Sequence, residues 1–328
     1  FFLKVSFTHP HDPYVTPPQY WNRYRHDEID MPVIPFMPVA DRDEHGQWLF
    51  QHYDRNEYDV TDEHIRQARH GYYGSISLVD DLVGQVLDAL TSARLDENTI
   101  VVFTADHGDM LGERGAWYKM SFYEHSCRVP LFIMVPGENG SRRVSQCTSL
   151  IDLMPTLLDL VLDQGCDHLV ESIDGRSLSP LMSGDATAWR DEAVAEICFE
   201  GARAPGMLIR RGTKKYVHWE GGPCSLFDLQ HDPHEKENLV TDPAYSDEIA
   251  LFDKEVHERW PVEQLTEKIL LKQRRNALVH QALMTGEVTA LDFQPFDDAS
   301  KRYYRGHGNW HKAEERDCLR FDSKDIPE

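Results

Sequence analysis

The clearest periodic pattern in the chain is a run of apolar residues at helical spacing between Ile65 and Leu90. Because residues at i, i+3, i+4 and i+7 share one face of an α-helix, this pattern predicts a long amphipathic helix. Thr61 is a suitable N-cap, and two acidic residues follow it in the first turn, where the helix dipole favours negative charge. Gly71 and Gly74 would weaken the middle of such a helix. We therefore expect close packing or a kink around these two glycines.

Two apolar runs rich in β-branched residues, 99–104 and 129–135, are typical of strands that are buried on both faces. The opening residues, 1–7, have the same character and predict a further buried strand. A second helical pattern covers residues 150–160. This order of strands and helices predicts an α/β fold with a mostly parallel sheet flanked by helices. We assign residues 1–188 to this large domain.

The pattern of apolar positions changes near residue 190. Four short apolar runs joined by glycine-containing turns predict a small antiparallel sheet, and they cover residues 193–199, 207–211, 215–219 and 225–229. Helical patterns follow over about 243–260 and 262–284. We assign residues 189–284 to a small second domain and the aperiodic residues 285–328 to a C-terminal arm.

Composition narrows the range of partners. The chain has 34 Lys and Arg against 56 Asp and Glu, which gives a net charge of −22. A surface this acidic repels nucleic acid and anionic lipid, so we expect neither as a partner. No apolar run approaches the ~18 residues of a membrane-spanning helix, and we expect a cytoplasmic protein. The six cysteines lack the spacing of a zinc ribbon or a redox motif and are interpreted as scattered, mostly buried thiols.

The most informative polar residues, Asp106-His107-Gly108, follow the apolar run at 99–104. Ligands of open α/β sheets bind at the carboxyl ends of strands, and a carboxylate beside an imidazole suits a divalent cation. Carboxylate oxygens alone favour calcium or magnesium, whereas an added histidine shifts the preference toward manganese or zinc. The alternative is a structural role, in which Asp106 caps the turn and His107 packs beneath it.

Two further residues are candidates for contact with an anionic substrate. Lys119 is on a loop twelve residues beyond His107, where an ammonium group could neutralise the oxygens of a transferring oxyanion. His11 lies in a loop fixed by two prolines, and a fixed imidazole is a suitable proton donor to a leaving oxygen. Surface lysines and loop histidines are also common without any function, so each residue alone leaves a structural role open.

Together these segments resemble the sulfatase branch of the alkaline phosphatase superfamily. Residues 9–14, His-Pro-His-Asp-Pro-Tyr, resemble the active-site histidine loop of that family, and residues 104–115 resemble its metal-binding strand end. Residues 150–160 resemble its D-L-x-P-T-L-L-D-L helix, and residues 226–239 resemble the L-Y-D-L-x-x-D-P-x-E-x-x-N-L segment of its small domain. Several matches in the right order make the resemblance much more specific than any single motif.

The resemblance implies roles for four residues. Asp106 and His107 would hold one divalent metal, which we expect to be calcium or manganese. Lys119 falls where the family has its sulfate-contacting lysine. His11 would protonate the leaving oxygen or bind the sulfate.

Within the family the chain is most similar to the choline sulfatases. Residues 285–287 and 292–301 resemble the C-terminal extension of that group, and we expect this arm to pack on a neighbouring subunit of a homo-oligomer. Glu196 falls where the group has a glutamate that faces a quaternary ammonium, a cation that a carboxylate with aromatic neighbours can hold. The alternative is a charged residue on the open face of a small edge sheet.

One part of the family pattern is missing. Sulfatases use a Cys or Ser within C/S-x-P-S-R, converted to formylglycine, as the nucleophile, and no such sequence occurs here. The paired aspartates that complete the metal site are also absent, so we interpret the chain as lacking the N-terminal part of a sulfatase and expect it to be inactive alone. The intact parent would hydrolyse choline O-sulfate to choline and sulfate. The alternatives are a phosphonate monoester or phosphodiester hydrolase of the same superfamily, and a catalytically dead binding module.

Overall fold

The computed structural model describes residues 1–138, 141–162 and 171–286. The α-helices in these residues are α1 (Pro18–Trp21), α2 (Glu44–His52), α3 (Asp62–Ser92), α4 (Glu124–Cys127), α5 (Leu153–Val161), α6 (Ser179–Ser183), α7 (Ser246–Arg259) and α8 (Val262–Leu283). The strands are β1 (Val101–Thr104), β2 (Leu131–Met134), β3 (Glu192–Ile197), β4 (Gly206–Arg211), β5 (Lys214–Trp219) and β6 (Ser225–Asp228). Helices and strands are thus both present, as the patterns of apolar residues predict.

The predicted long helix is confirmed as α3, and so is the close packing at its glycines. The Thr61 hydroxyl accepts a hydrogen bond from the backbone N–H three residues later and caps the helix. A Cβ on Gly71 would lie 1.8 Å from the carbonyl oxygen of Tyr14, and a Cβ on Gly74 would lie 2.5 Å from Cγ2 of Thr16. Because only glycine leaves this space, the loop that precedes α1 can lie directly against α3.

The two strands predicted in the large domain are present, but they are not buried on both faces. β1 and β2 pair antiparallel, with Phe103 opposite Phe132, and these side chains are 37% and 66% exposed. Both sheets in the described part of the chain are antiparallel, so a mostly parallel sheet is not confirmed. Apolar runs indicate that strands form, but the direction of pairing depends on neighbours that are distant in sequence.

The opening residues do not form the buried strand that their composition predicts. Residues 1–7 have no strand structure, and Phe1 and Phe2 are each 84% exposed. A strand needs a neighbour for its backbone hydrogen bonds, and none of the described strands pairs with this segment. The prediction for residues 1–7 is therefore wrong.

The small antiparallel sheet is confirmed, with strand order β3-β4-β5-β6. Its two faces are covered by different parts of the chain. One face packs on α7 and α8, where the cluster of buried residues is Met207, Ile209, Tyr216, Leu226, Phe252, Val256 and Val262. The other face carries Leu208 and Val217 and packs on Trp48 and Phe122. The sheet thus links the C-terminal helices to the rest of the chain.

A buried ion-pair cluster crosses the boundary that we drew near residue 189. Nζ of Lys215, whose side chain is 1% exposed, lies 2.7 Å from a carboxylate oxygen of Glu235 and 3.0 Å from one of Glu124. Burial favours the neutral amine, but the two carboxylates outweigh it and raise the pKa of Lys215. Arg114 adds hydrogen bonds to the carbonyl oxygens of His234 and Glu235. The division into residues 1–188 and 189–284 stays a prediction.

The remaining features concern the termini and the thiols. The C-terminal arm lies outside the described residues from residue 287 onward. None of the described helices has the length and apolar character needed to cross a bilayer. The four cysteines among the described residues are free thiols, of which Cys147 is buried. Cys166 and Cys318 lie outside the described residues.

Candidate active site

The histidine loop, residues 9–14, is fixed against α3 and holds the imidazole of His11 in one orientation. The bonds His9–Pro10 and Asp12–Pro13 are cis. Nδ1 of His11 donates to the carbonyl oxygen of Asp12 at 3.0 Å, so Nε2 carries the lone pair and accepts from Nζ of Lys119 at 3.0 Å. The structure therefore brings His11 and Lys119, 108 residues apart in sequence, into direct contact.

This contact bears on the role of His11. Nδ1 of His11 also lies 3.0 Å from Oδ1 of Asp12, so the imidazole is placed between this carboxylate and Nζ of Lys119. In this arrangement the imidazole holds Nζ of Lys119 in place. The two roles expected for His11, protonation of the leaving oxygen and binding of the sulfate, stay predictions.

The strand-end pair lies directly after β1 and has the features of a partial metal site. Nδ1 of His107 donates to the carbonyl oxygen of Gly108 at 2.8 Å, which leaves Nε2 with its lone pair, 3.7 Å from Oδ2 of Asp106. Oδ1 of Asp106 accepts from the backbone N–H of His107 at 3.0 Å, while the Asp106 side chain is 88% exposed. One imidazole nitrogen and one carboxylate oxygen are therefore available on the same side of the turn.

Gly108 allows the chain to turn away directly after Asp106 and His107. A Cβ at this position would lie 2.0 Å from the carbonyl oxygen of His125, and the N–H of Gly108 donates to the carbonyl oxygen of Ser126 at 2.8 Å. The strand end is thus tied to the segment around α4. The carboxylate oxygen is a ligand that both calcium and manganese accept, whereas the imidazole nitrogen favours manganese. The pair therefore fits a divalent ion that has further ligands from other residues.

His11 connects the two halves of the candidate site. Its ring lies edge-on to that of His107, with 6.0 Å between the ring centroids. Lys119, His11, His107 and Asp106 consequently form one continuous group at the end of β1. Four of the five residues singled out from the sequence are therefore brought together.

Tyr14 and Asp109 hold this group in place, and the sequence pattern did not single them out. The hydroxyl of Tyr14 donates to both carboxylate oxygens of Asp109, at 3.0 and 3.2 Å, and the N–H of Leu111 donates to Oδ1 at 2.9 Å. Burial raises the pKa of Asp109, although these hydrogen bonds oppose the shift, and burial beside Asp109 raises the pKa of Tyr14. The sequence signal that could have indicated them is their position in the two family motifs, Tyr14 in residues 9–14 and Asp109 in residues 104–115.

Glu196 is the residue that the structure does not bring to this group. It lies opposite Met207 in the sheet, on the face that packs on α7 and α8. Its Oε1 accepts a hydrogen bond from the indole N–H of Trp260 at 2.5 Å, and its side chain is exposed. A carboxylate and an indole are thus side by side, but away from the contact between His11 and Lys119.

Three family models, two of which overlap, together match nearly the whole chain. The sulfatase model matches residues 1–163, the model for the C-terminal part of N-sulphoglucosamine sulphohydrolase matches residues 112–260, and the model for the C-terminal part of choline sulfatase matches residues 267–321. The last match covers most of the C-terminal arm, residues 285–328. All three models describe sulfatases.

Two individual proteins similar to this chain are also sulfatases. The chain is 38% identical over 316 residues to a choline-sulfatase of Rhizobium meliloti (strain 1021), covering 95% of this chain and 61% of that protein. It is 30% identical over 268 residues to an arylsulfatase of Clostridium perfringens, covering 77% of this chain and 52% of that protein. The chain thus spans between half and two thirds of the length of these relatives.

A solved structure shows the same fold. The phosphonate monoester hydrolase of Silicibacter pomeroyi is 28% identical, with a TM-score of 0.67, over 76% of this chain and 54% of that one. The matched portion again covers about half of the longer protein. An alkaline-phosphatase-like fold is therefore confirmed, although a parallel sheet is not seen in the described residues.

Proposed function

Because the chain belongs to the sulfatase family, we propose that it supplies one side of the active site of a sulfuric ester hydrolase that acts on choline O-sulfate. The observation that carries this proposal is the contact between Lys119 and His11 beside the strand-end pair. The choice of choline ester rests on the 38% identity to a choline-sulfatase and on the match of the arm. A homo-oligomer held together by that arm is part of the same proposal.

Within this proposal Lys119 binds the sulfate. Its ammonium group, held at Nε2 of His11, is a suitable hydrogen-bond donor to the sulfuryl oxygens. Charge that develops on these oxygens in the transition state then meets a cation that is already in position. His11 acts through Lys119 by fixing it, and Tyr14 and Asp109 keep the loop of His11 docked.

Asp106 and His107 are proposed to hold the divalent metal, calcium or manganese, with other ligands from outside this pair. When bound, such an ion supplies positive charge to a sulfuryl oxygen and lowers the pKa of a coordinated hydroxyl group. The printed sequence contains no C/S-x-P-S-R motif, so the formylglycine nucleophile belongs to the proposal for the parent protein. We accordingly expect no turnover from this chain alone.

Glu196 is proposed to hold the trimethylammonium group of choline. Its carboxylate lies against the indole of Trp260, and a negative charge beside an aromatic ring attracts a quaternary ammonium. In this role the cationic end of the substrate, or of a substrate in a neighbouring subunit, has to reach the face of the sheet that carries α7 and α8.

The sulfate-binding role can be tested in the parent protein that carries both this chain and the nucleophile motif. We expect Lys119→Met to lower kcat/KM for choline sulfate by about 100-fold or more, since one donor to the transition-state oxyanion is lost. Steady-state kinetics measures this, with the exposed Lys272→Met as the matched control. A loss of less than about threefold would contradict the role of Lys119.

A second variant tests the choice of substrate. We expect Glu196→Gln to raise KM for choline sulfate about tenfold and to leave a neutral aryl sulfate nearly unchanged, because only choline carries the cation. Glu237→Gln, which removes an exposed charge elsewhere in the small domain, serves as the control. An equal rise in KM for both substrates would show that Glu196 does not bind the cation of choline.

The similarity to a phosphonate monoester hydrolase favours a second candidate function. A Lys–His contact and an Asp–His pair could equally serve a phosphonate or phosphodiester, whose oxygens carry similar charge. Kinetics of the parent protein on choline sulfate, a phosphodiester and a phosphonate monoester separate the two. A higher kcat/KM on either phosphorus ester would favour this second function, and no turnover of any of the three would favour a binding module.

A further inference from the structure

A buried histidine on β5 has one ring nitrogen without a hydrogen-bond partner. His218 is only 7% exposed, and its Nε2 is buried with no donor or acceptor at hydrogen-bond distance. Its Nδ1 lies 3.3 Å from Oδ1 of Asp253 and 3.7 Å from Sγ of Cys224. A buried ring nitrogen without a hydrogen-bond partner destabilises the folded state. A ligand that binds Nε2 would remove this cost.

Two further side chains, those of Glu220 and His257, lie close to the ring of His218. Oε2 of Glu220 lies 3.6 Å from Nε2 of His218, and the ring of His257 lies perpendicular to that of His218 with centroids 5.1 Å apart. One ligand atom from each of the three residues lies within 4.8 Å of the others. In a tetrahedral site with ligand bonds of about 2.1 Å, donor atoms are about 3.4 Å apart, so small side-chain rotations suffice.

The second ring nitrogens of both histidines are held from behind. Nδ1 of His257 donates to the carbonyl oxygen of Asp253 at 2.8 Å, and Nδ1 of His218 faces the carboxylate of the same residue. With hydrogens on both Nδ1 atoms, both Nε2 atoms present lone pairs. A carboxylate or carbonyl behind a histidine is the usual support of a metal-binding imidazole.

We propose that Nε2 of His218, the carboxylate of Glu220 and Nε2 of His257 bind a zinc-type divalent ion. Two imidazoles and one carboxylate form a donor set that zinc accepts, with a fourth position left for water. The site joins the end of β5 to α7 and is distinct from the pair Asp106 and His107. Because Glu220 and His257 are partly exposed, an ion can reach it from solvent.

Asp253 and Cys224 form a competing donor set with His218. Asp253 is already engaged, since its Oδ1 accepts from the hydroxyl of Tyr216 at 3.1 Å while facing Nδ1 of His218. Nδ1 therefore has polar neighbours, whereas Nε2 has none at hydrogen-bond distance. The open nitrogen lies 3.6 Å from the carboxylate of Glu220, and this favours the set that contains Glu220 and His257.

Isothermal titration calorimetry tests the site. The full chain is first treated with a chelator to remove bound metal and is then titrated with zinc chloride. The His107→Ala background keeps the strand-end pair from contributing, and we expect one equivalent of zinc to bind in it. His257→Ala and the conservative Glu220→Gln should each weaken binding at least about tenfold. The exposed His280→Ala is the matched control and should leave binding unchanged. Absent binding in the His107→Ala background, or unchanged binding in both ligand variants, would overturn the proposal.

Two more measurements identify the donors. Zinc should raise the Tm of the His107→Ala chain and fail to raise it once His257→Ala is added, since an ion bound only to the folded state stabilises that state. Cobalt substituted for zinc should give visible bands without a sulfur-to-cobalt charge-transfer band, and Cys224→Ser should bind zinc as tightly as its parent. A charge-transfer band that disappears in Cys224→Ser would show that the other donor set is correct and this one wrong.

Discussion

The four-stranded and the two-stranded sheet of this chain are built from similarly apolar runs, yet they are covered to different degrees. In the larger sheet Met207, Ile209 and Tyr216 are fully buried beneath α7 and α8, and the opposite face is covered as well. In the smaller sheet Phe132 and Met134 are 66% and 50% exposed. The four-stranded sheet is thus held by a core, whereas the candidate active site at the end of β1 is held by loops with polar contacts.

The difference matters for how each region responds to change. The covering helices α7 and α8 follow their sheet directly in sequence, so local folding buries it. The loop of His11 and the loop of Lys119 depend instead on contacts between distant residues, such as the hydrogen bond of Tyr14 to Asp109. Substitutions in the buried sheet should therefore change overall stability, and those at the loops should change the site first.

The largest effect is expected where the small domain meets the rest of the chain. Lys215→Met removes the buried cation and leaves the carboxylate of Glu235 without this ion-pair partner. Glu124 loses Lys215 as well but keeps Nη1 of Arg210 at 2.8 Å. We expect the free energy of unfolding to fall by about 3–5 kcal/mol, the usual result of removing one partner of a buried ion pair. Urea unfolding of the full chain followed by circular dichroism measures the change.

The exposed Lys236→Met provides the control for Lys215→Met, since it removes the same charge from the surface. It should change the free energy of unfolding by about 0.5 kcal/mol or less. Similar values for the two variants would mean that the buried cluster does not hold the two regions together.

The small domain could be predicted from sequence almost element by element, because its signals are local. The short apolar runs at 207–211 and 215–219 located β4 and β5, and the glycine-containing turn between these runs located the hairpin. The same reasoning failed at residues 1–7 and at the exposed faces of β1 and β2. Apolar composition indicates that a segment prefers burial, but whether a partner covers it depends on the whole tertiary arrangement.

The candidate site shows the same limit. His107 and Asp106 are neighbours in sequence, so their pairing followed from the motif, whereas the contact of His11 with Lys119 bridges 108 residues. That His11 and Lys119 belong to one site could be predicted only from the resemblance to the sulfatase family. Glu196 illustrates the reverse case, since no local pattern indicated that it faces Trp260 and the C-terminal helices.

An intermediate effect is expected at the contact between α3 and the histidine loop. Gly71→Ala places a Cβ 1.8 Å from the carbonyl oxygen of Tyr14, so the loop has to move away from the helix. We expect the free energy of unfolding to fall by about 1–3 kcal/mol, the cost of overpacking a close contact. The parent protein should also lose turnover, because His11 is carried by the displaced loop.

Gly84→Ala is the matched control in the same helix, because a Cβ there would meet no atom within 4 Å. Alanine is the better helix former, so this variant should gain up to about 1 kcal/mol in stability and keep its turnover. Equal destabilisation by both variants would show that α3 tolerates neither side chain and that loop docking is not the cause.

The smallest effect is expected on the exposed face of the two-stranded sheet, where Phe132 lies opposite Phe103 with ring centroids 6.0 Å apart. Phe132→Thr places another residue that is common in strands at this position and removes this cross-strand contact, so the free energy of unfolding should fall by about 0.5 kcal/mol. Ile209→Thr makes the corresponding change at a fully buried position of β4 and should cost about 2 kcal/mol or more, since it buries a hydroxyl group and removes packed atoms. Urea unfolding of both variants compares the two sheets directly. If Phe132→Thr proved as costly as Ile209→Thr, the apolar face of β1 and β2 would have to be covered in solution, and the contrast between a core-held and a loop-held region would fail.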